Sequence, residues 1–184
     1  VAPSRGLGDV YKRQTIVTLK NSFHGRTMET LTATGQDELH QYFDPFPPGF
    51  RYAAANDLDA LKAAIDETVC AVMMEPVQGE GGVQPLDADF VHKASELCRE
   101  KDILLIFDEV QTGVGRTGKL YAWEHFGVRP DILTSAKGLG GGLPVGACLC
   151  VERLGAVMGP GTHGSTFGGN PIVCAGVCEV LSRM

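Results

Sequence analysis

The sequence predicts an α/β fold on a mostly parallel sheet flanked by helices, and three observations carry that reading. Short apolar runs alternate with amphipathic stretches of helical spacing along most of the 184 residues. Three of those runs deliver ionisable groups: Val69–Met74 leads into Glu75, Ile103–Phe107 into Asp108-Glu109, and Ile132–Thr134 towards Lys137. Glycine is in excess, with 24 residues or about 13% against an average near 7%, and no G-X-Y period of collagen.

Each element has a local reason. Thr15 to Leu19 is a short β-rich run and reads as a strand. Asp57 to Asp66 reads as a helix, because Leu58, Leu61 and Ile65 form one stripe and Asn56 or Asp57 can cap it. Val69–Met74 is a continuous apolar run, as a buried parallel strand requires. Asp87 to Lys101 is a helix with Phe90, Ala94, Leu97 and Cys98 at helical spacing. Ile103–Phe107, Ile132–Thr134 and Gly146–Val151 read as further strands. Pro171 to Leu181 opens as a helix, with proline in its first turn. Tyr42 to Tyr52, with three prolines and five aromatics, reads as a surface connection.

Composition excludes several functions. Sixteen basic against 22 acidic residues argue against nucleic acid or an anionic membrane as the main partner. No apolar run approaches the roughly 20 residues of a membrane-spanning helix. The six cysteines (Cys70, Cys98, Cys148, Cys150, Cys174 and Cys178) form no C-x-x-C pair and no ligand set, so no metal site is expected. They read as reduced core thiols of a cytoplasmic protein.

In a parallel α/β sheet, ligands bind beyond the carboxyl ends of the strands. Here those ends carry Glu75, Asp108-Glu109 and Lys137, each followed closely by glycine. A phosphate-binding P-loop needs its glycines before the lysine, and here Gly138, Gly140, Gly141 and Gly142 follow Lys137. Gly6-Leu7-Gly8 lacks the third glycine and preceding strand of a dinucleotide fingerprint. A lysine in a sheltered, glycine-walled pocket suits Schiff-base chemistry, because desolvation frees its amine. Asp108 follows five apolar residues, where a carboxylate is costly unless paired. It could cap a helix, join a salt bridge, or pair with a cationic ring nitrogen. Glu75 reads as orienting its loop, His24 as structural, and His40, His92 and His125 as surface residues.

Five ordered motifs carry a resemblance. They are Asn21-Ser22-Phe23-His24-Gly25-Arg26-Thr27, Glu75-Pro76-Val77-Gln78-Gly79-Glu80-Gly81-Gly82, Phe107 through Arg116, Lys137 through Gly142, and Thr162 through Pro171. The chain resembles the class III, ornithine-type aminotransferases of the pyridoxal phosphate fold-type I superfamily, and is most similar to the acetylornithine branch. The resemblance implies the central part of that superfamily's large domain, with pyridoxal 5'-phosphate as cofactor. It also implies transfer of the δ-amino group of N-acetylornithine to 2-oxoglutarate through a Schiff base, a step of arginine biosynthesis. Ornithine, succinylornithine or 4-aminobutyrate are the alternative donors, and a truncated chain without activity is a further alternative.

By resemblance Lys137 forms the Schiff base and shuttles the proton, and Asp108 keeps the ring nitrogen protonated. Gln111 binds the ring's phenolic oxygen, while Val110 and Phe23 pack on its two faces. Arg26 clamps the donor carboxylate. Ser165 and Thr166 lie in the loop that reaches the cofactor phosphate of the neighbouring subunit in a homodimer. Glu80 matches a glutamate that pairs with a substrate-binding arginine. Residues 1–14 read as a leader that does not match the family and is artefactual or unrelated. Residues 15–184 read as a partial cofactor-binding large domain, with the C-terminal small domain absent. Sixteen of the 24 glycines cluster in the loops expected to wall the cofactor.

Overall fold

The computed structural model describes residues 13–157 and 159–184. Most of the expected leader, with Gly6-Leu7-Gly8, lies outside the described residues. The chain divides into two units, one ending at Leu105 and the other running from Ile106 to Met184.

In the first unit, β1 (Thr15–Leu19) has Val17, Thr18 and Leu19 fully buried. It is followed by α1 (Met28–Ala33), α2 (Asp37–His40), β2 (Phe50–Ala53), α3 (Leu58–Ala64) and β3 (Val69–Met74). The hairpin β4 (Val77–Gln78) and β5 (Gln84–Pro85) and the helix α4 (Ala88–Glu100) complete it. β1 lies between β2 and β3 and is parallel to both. That position pairs its backbone along both edges, as an inner strand of a parallel sheet requires. α3 starts where expected, since the Asp57 carboxylate accepts from Ala60 N at 2.9 Å. α4 buries Phe90, Val91, Ala94, Leu97 and Cys98. Each large apolar side chain so buried contributes about 1.5–3 kcal/mol.

Two expectations in this unit are corrected. The Tyr42–Tyr52 segment is not a surface connection throughout, because Phe50–Tyr52 belongs to β2 and pairs with Ile16–Thr18. His40 is half-buried: its ring lies 4.8 Å from Phe46 and its Nε2 is 3.0 Å from Leu31 O.

Asp66 supplies a pH-dependent link after α3. Thr68 donates to its carboxylate from Oγ1 at 2.6 Å and from N at 2.9 Å, and Arg51 pairs with it at 2.7 Å. These contacts, Thr68 first, lower its pKa from the ordinary 3.8 to about 2. A depressed folded pKa gives stability that is present above the unfolded value and lost as pH falls through the folded one. Asp66→Asn is therefore expected to flatten the acid limb of stability between about pH 4 and pH 2. Urea unfolding across that range checks it. Because the group is exposed, the effect is a small one.

In the second unit, β6 (Leu104–Asp108) pairs in parallel with β7 (Ile132–Ser135), and β8 (Ala147–Cys150) pairs antiparallel with β7. Between them lie α5 (Trp123–Phe126) and the 3₁₀ turn Lys137–Gly140; α6 (Glu152–Gly155) and α7 (Pro171–Ser182) follow. The strand expected over Ile103–Phe107 is shifted by one residue, because Asp108 itself joins the ladder opposite Thr134. α7 begins as expected: Asn170 Oδ1 accepts from Ile172 N at 3.0 Å, and Pro171 occupies the first turn.

The cysteines are free thiols, but most are not core residues. Cys98 is buried and Cys70 half-buried, whereas Cys148, Cys150, Cys174 and Cys178 are exposed. The first exposed pair lies on β8, which pairs only with β7 among the described residues. The second lies on α7, none of whose residues is buried. No helix among the described residues is long and apolar enough to cross a membrane, and no group of three or more His, Cys, Asp or Glu among them could hold a metal ion.

Candidate active site

In the first unit the chain leaves β1 and turns at once. Lys20 bridges to Gly35, Asn21 adopts a left-handed φ of 63°, and buried Ser22 accepts from Gly35 N at 3.0 Å. This turn presents Phe23 and Arg26 together, with the Arg26 guanidinium 5.5 Å from the Phe23 ring centroid. That is a cation–π contact. Phe23 is half-buried and Arg26 exposed.

Glu75 fastens this turn to the next loop. Its carboxylate is 4% exposed and accepts from Phe23 N at 2.8 Å and from Gly79 N at 3.3 Å. The expected loop-orienting role is what the structure shows. Gln78 does a similar job that sequence reasoning missed, donating from Nε2 to Lys20 O at 2.9 Å. Its position in the Glu-Pro-Val-Gln-Gly run was the available signal. A Cβ on Gly81 would lie 2.6 Å from Asn21 O, so only glycine lets the two loops approach. Glu80 is exposed in this turn and lines an open cleft of about 440 Å³ with Lys20, Asn21, Gln36 and Tyr52. Burial, and then the Asp37 charge, push the Tyr52 hydroxyl above its ordinary pKa. Phe23 and Arg26 are not among the residues that line that cleft.

In the second unit Asp108 closes β6 and is 5% exposed. Its Oδ1 accepts from Val110 N at 3.1 Å and from Thr134 Oγ1 at 3.1 Å. Asp108 pairs with Thr134 across the parallel ladder, and Lys137 lies three residues beyond Thr134 on the same chain. The carboxylate and the lysine thus leave neighbouring strands at the same end. Val110 and Gln111, both half-buried, follow Asp108 directly.

Glu109 is the residue that sequence reasoning underrated. It is fully buried, and its carboxylate accepts from Ala122 N at 2.9 Å, Trp123 N at 2.7 Å and Thr112 Oγ1 at 2.5 Å. It ties the turn after β6 to the start of α5. Gly113 sits inside this knot, where a Cβ would lie 2.7 Å from the Tyr121 ring. Glu109→Ala is expected to destabilise the fold by about 3 kcal/mol, because buried N–H donors lose their acceptor. The shift of the urea midpoint measures it.

Lys137 corrects one expectation. It is exposed among the described residues rather than sheltered, because Leu139 and Gly140 turn inwards beneath it and are the buried part of its 3₁₀ turn. Its backbone has a left-handed φ of 44°. Such a conformation costs a non-glycine residue about 1 kcal/mol or more and concentrates at functional sites. Ser165 and Thr166 lie in an exposed loop before α7. Chemically, the second unit offers a solvent-accessible primary amine able to add to a carbonyl, and, at the same end of the neighbouring strand, a buried carboxylate suited to a cationic partner.

The description "Aminotransferase class-III" matches residues 5–184 of the chain. Acetylornithine aminotransferase of Caldanaerobacter subterraneus subsp. tengcongensis is 54% identical over 173 residues, 94% of this chain and 44% of that protein. Succinylornithine transaminase of Salmonella paratyphi A is 58% identical over 166 residues, 90% of this chain and 41% of that protein. Ornithine aminotransferase from Toxoplasma gondii, solved with partial PLP occupancy at its active site, matches with a TM-score of 0.87 and 42% identity. That match covers 92% of this chain and 41% of the other. The chain therefore spans under half the length of the relatives it matches.

Proposed function

The chain belongs to the class III aminotransferases, and from that premise we propose that it is part of an enzyme moving the δ-amino group of N-acetylornithine to 2-oxoglutarate with pyridoxal 5'-phosphate. The observation that carries this reading is the ladder partnership of Asp108 with Thr134, which brings Asp108 and Lys137 out at one end of adjacent parallel strands. The residues fit the cofactor by their chemistry. An accessible amine can add to an aldehyde, a buried carboxylate can pair with a protonated pyridine, and Val110 and Gln111 follow that carboxylate on the turn after β6.

When bound, the cofactor supplies an electron sink for the carbanion left on the donor. Lys137 would supply the amine that holds the cofactor, and its Nζ would serve as the base that takes up and gives back the donor's proton. The Asp108 carboxylate keeps the ring nitrogen protonated, because an ion pair at a buried position favours both charged forms. Gln111 would hydrogen-bond the phenolic oxygen and Val110 would pack on the ring. By family resemblance, Phe23 would pack on the ring and Arg26 would hold the donor carboxylate through its bidentate fork. Ser165 and Thr166 reach the phosphate of the neighbouring subunit in a homodimer, and Glu80 pairs with a substrate-binding arginine. The intact enzyme belongs in the cytoplasm.

N-succinylornithine is the second reading of the donor, favoured by the 58% identity to succinylornithine transaminase. The ratio of kcat/KM for the acetyl and succinyl donors decides between them. For the cofactor, the test is to add pyridoxal 5'-phosphate to the purified chain, reduce with borohydride and map the pyridoxyl label by mass spectrometry. Label on Lys137 is expected. Label elsewhere, or none, overturns cofactor binding by this chain.

A further inference from the structure

We propose that Thr134 is a positioning residue for the Asp108 carboxylate, an inference that rests on the assignment of Asp108 to the cofactor ring. Residues paired across a ladder present their side chains on the same face. The pairing of Asp108 with Thr134 therefore puts a hydroxyl beside the carboxylate, at 3.1 Å from Thr134 Oγ1 to Asp108 Oδ1. The same oxygen accepts from Val110 N at 3.1 Å. One donor reaches it along the chain and the other across the sheet.

This geometry matters because the terminal torsion of aspartate is soft. Its χ2 lies in a broad well, so one hydrogen bond leaves the carboxylate plane poorly defined. A second donor, arriving from a different strand, fixes the plane in which a ring nitrogen must meet the carboxylate. The donors also offset the cost of ionising a carboxyl that is 5% exposed. Strand formation alone does not ask for a hydroxyl here, since valine is at least as good a strand former and has nearly the same shape. The hydroxyl is therefore assigned to the carboxylate rather than to the fold.

The test uses the full-length protein loaded with pyridoxal 5'-phosphate, as wild type, Thr134→Val and Thr134→Ser. Losing one hydrogen bond to a charged group changes an equilibrium by about tenfold or more. Thr134→Val is expected to weaken cofactor affinity and lower kcat by about that factor, leaving the donor KM unchanged. Thr134→Ser keeps the hydroxyl and is expected to restore both to within about twofold. Should Thr134→Val fail to fold, Thr134→Ala is read against Thr134→Ser in its place. A valine variant that behaves as wild type, or a serine variant as impaired as valine, overturns the inference alone. A wild-type protein that takes up no cofactor overturns the cofactor reading and this inference with it.

Discussion

Lys137→Ala in the full-length protein is expected to abolish amino transfer, lowering kcat by about 10⁴-fold or more. The substitution removes both the amine that adds to the cofactor and the group that moves the proton, and a positioned acid–base group alone contributes roughly 10²–10⁴-fold. Fold stability should change little or rise slightly, because Lys137 is exposed and sits at the start of a short turn. Single-turnover kinetics with the amino donor, beside a urea titration, separates the two effects. Alanine at this position with more than a few per cent of wild-type rate would show that another group moves the proton.

Asp108→Asn is expected to cost about 10²–10³-fold in kcat, the scale seen when one preorganised electrostatic contact is removed. Asparagine keeps an oxygen that can accept from Val110 N and Thr134 Oγ1, so the turn after β6 should hold its shape. What it lacks is the negative charge that keeps a pyridine nitrogen protonated. The measurement is kcat and donor KM on the cofactor-loaded protein. A loss confined to KM would remove Asp108 from the ring and make it a substrate contact. The two substitutions differ in kind: without Lys137 the chemistry has no entry, and without Asp108 it runs slowly.

Much of this was legible in the chain itself. Val69–Met74 is apolar over consecutive positions, which a strand buried on both faces demands, Thr15–Leu19 is a short run of β-branched residues and leucine, and both strands lie where the pattern placed them. Asp57 acts as the helix cap its side chain suits, and Pro171 opens α7 in its first turn. β2 was hidden because its aromatic residues sit among prolines and are mostly half-buried, so no alternation marks them. α1 has only six residues, too few to show a helical period. Asp108 and Lys137 stood out because three successive strand ends deliver ionisable groups, each followed closely by glycine. The role of Glu109 did not, since its backbone partners at Ala122 and Trp123 are 13 and 14 residues away and any residue type supplies an N–H. Thr134 looked like one more strand residue, and only the ladder pairing with Asp108 distinguishes it.

The left-handed backbone at Lys137 sets selection for persistence against selection for turnover. Glycine tolerates a φ of 44° without steric penalty, so Lys137→Gly should unfold at a higher denaturant concentration, by about 0.5–1 kcal/mol. A library sorted only for thermal robustness would therefore favour glycine at this position, at the expense of the side-chain amine.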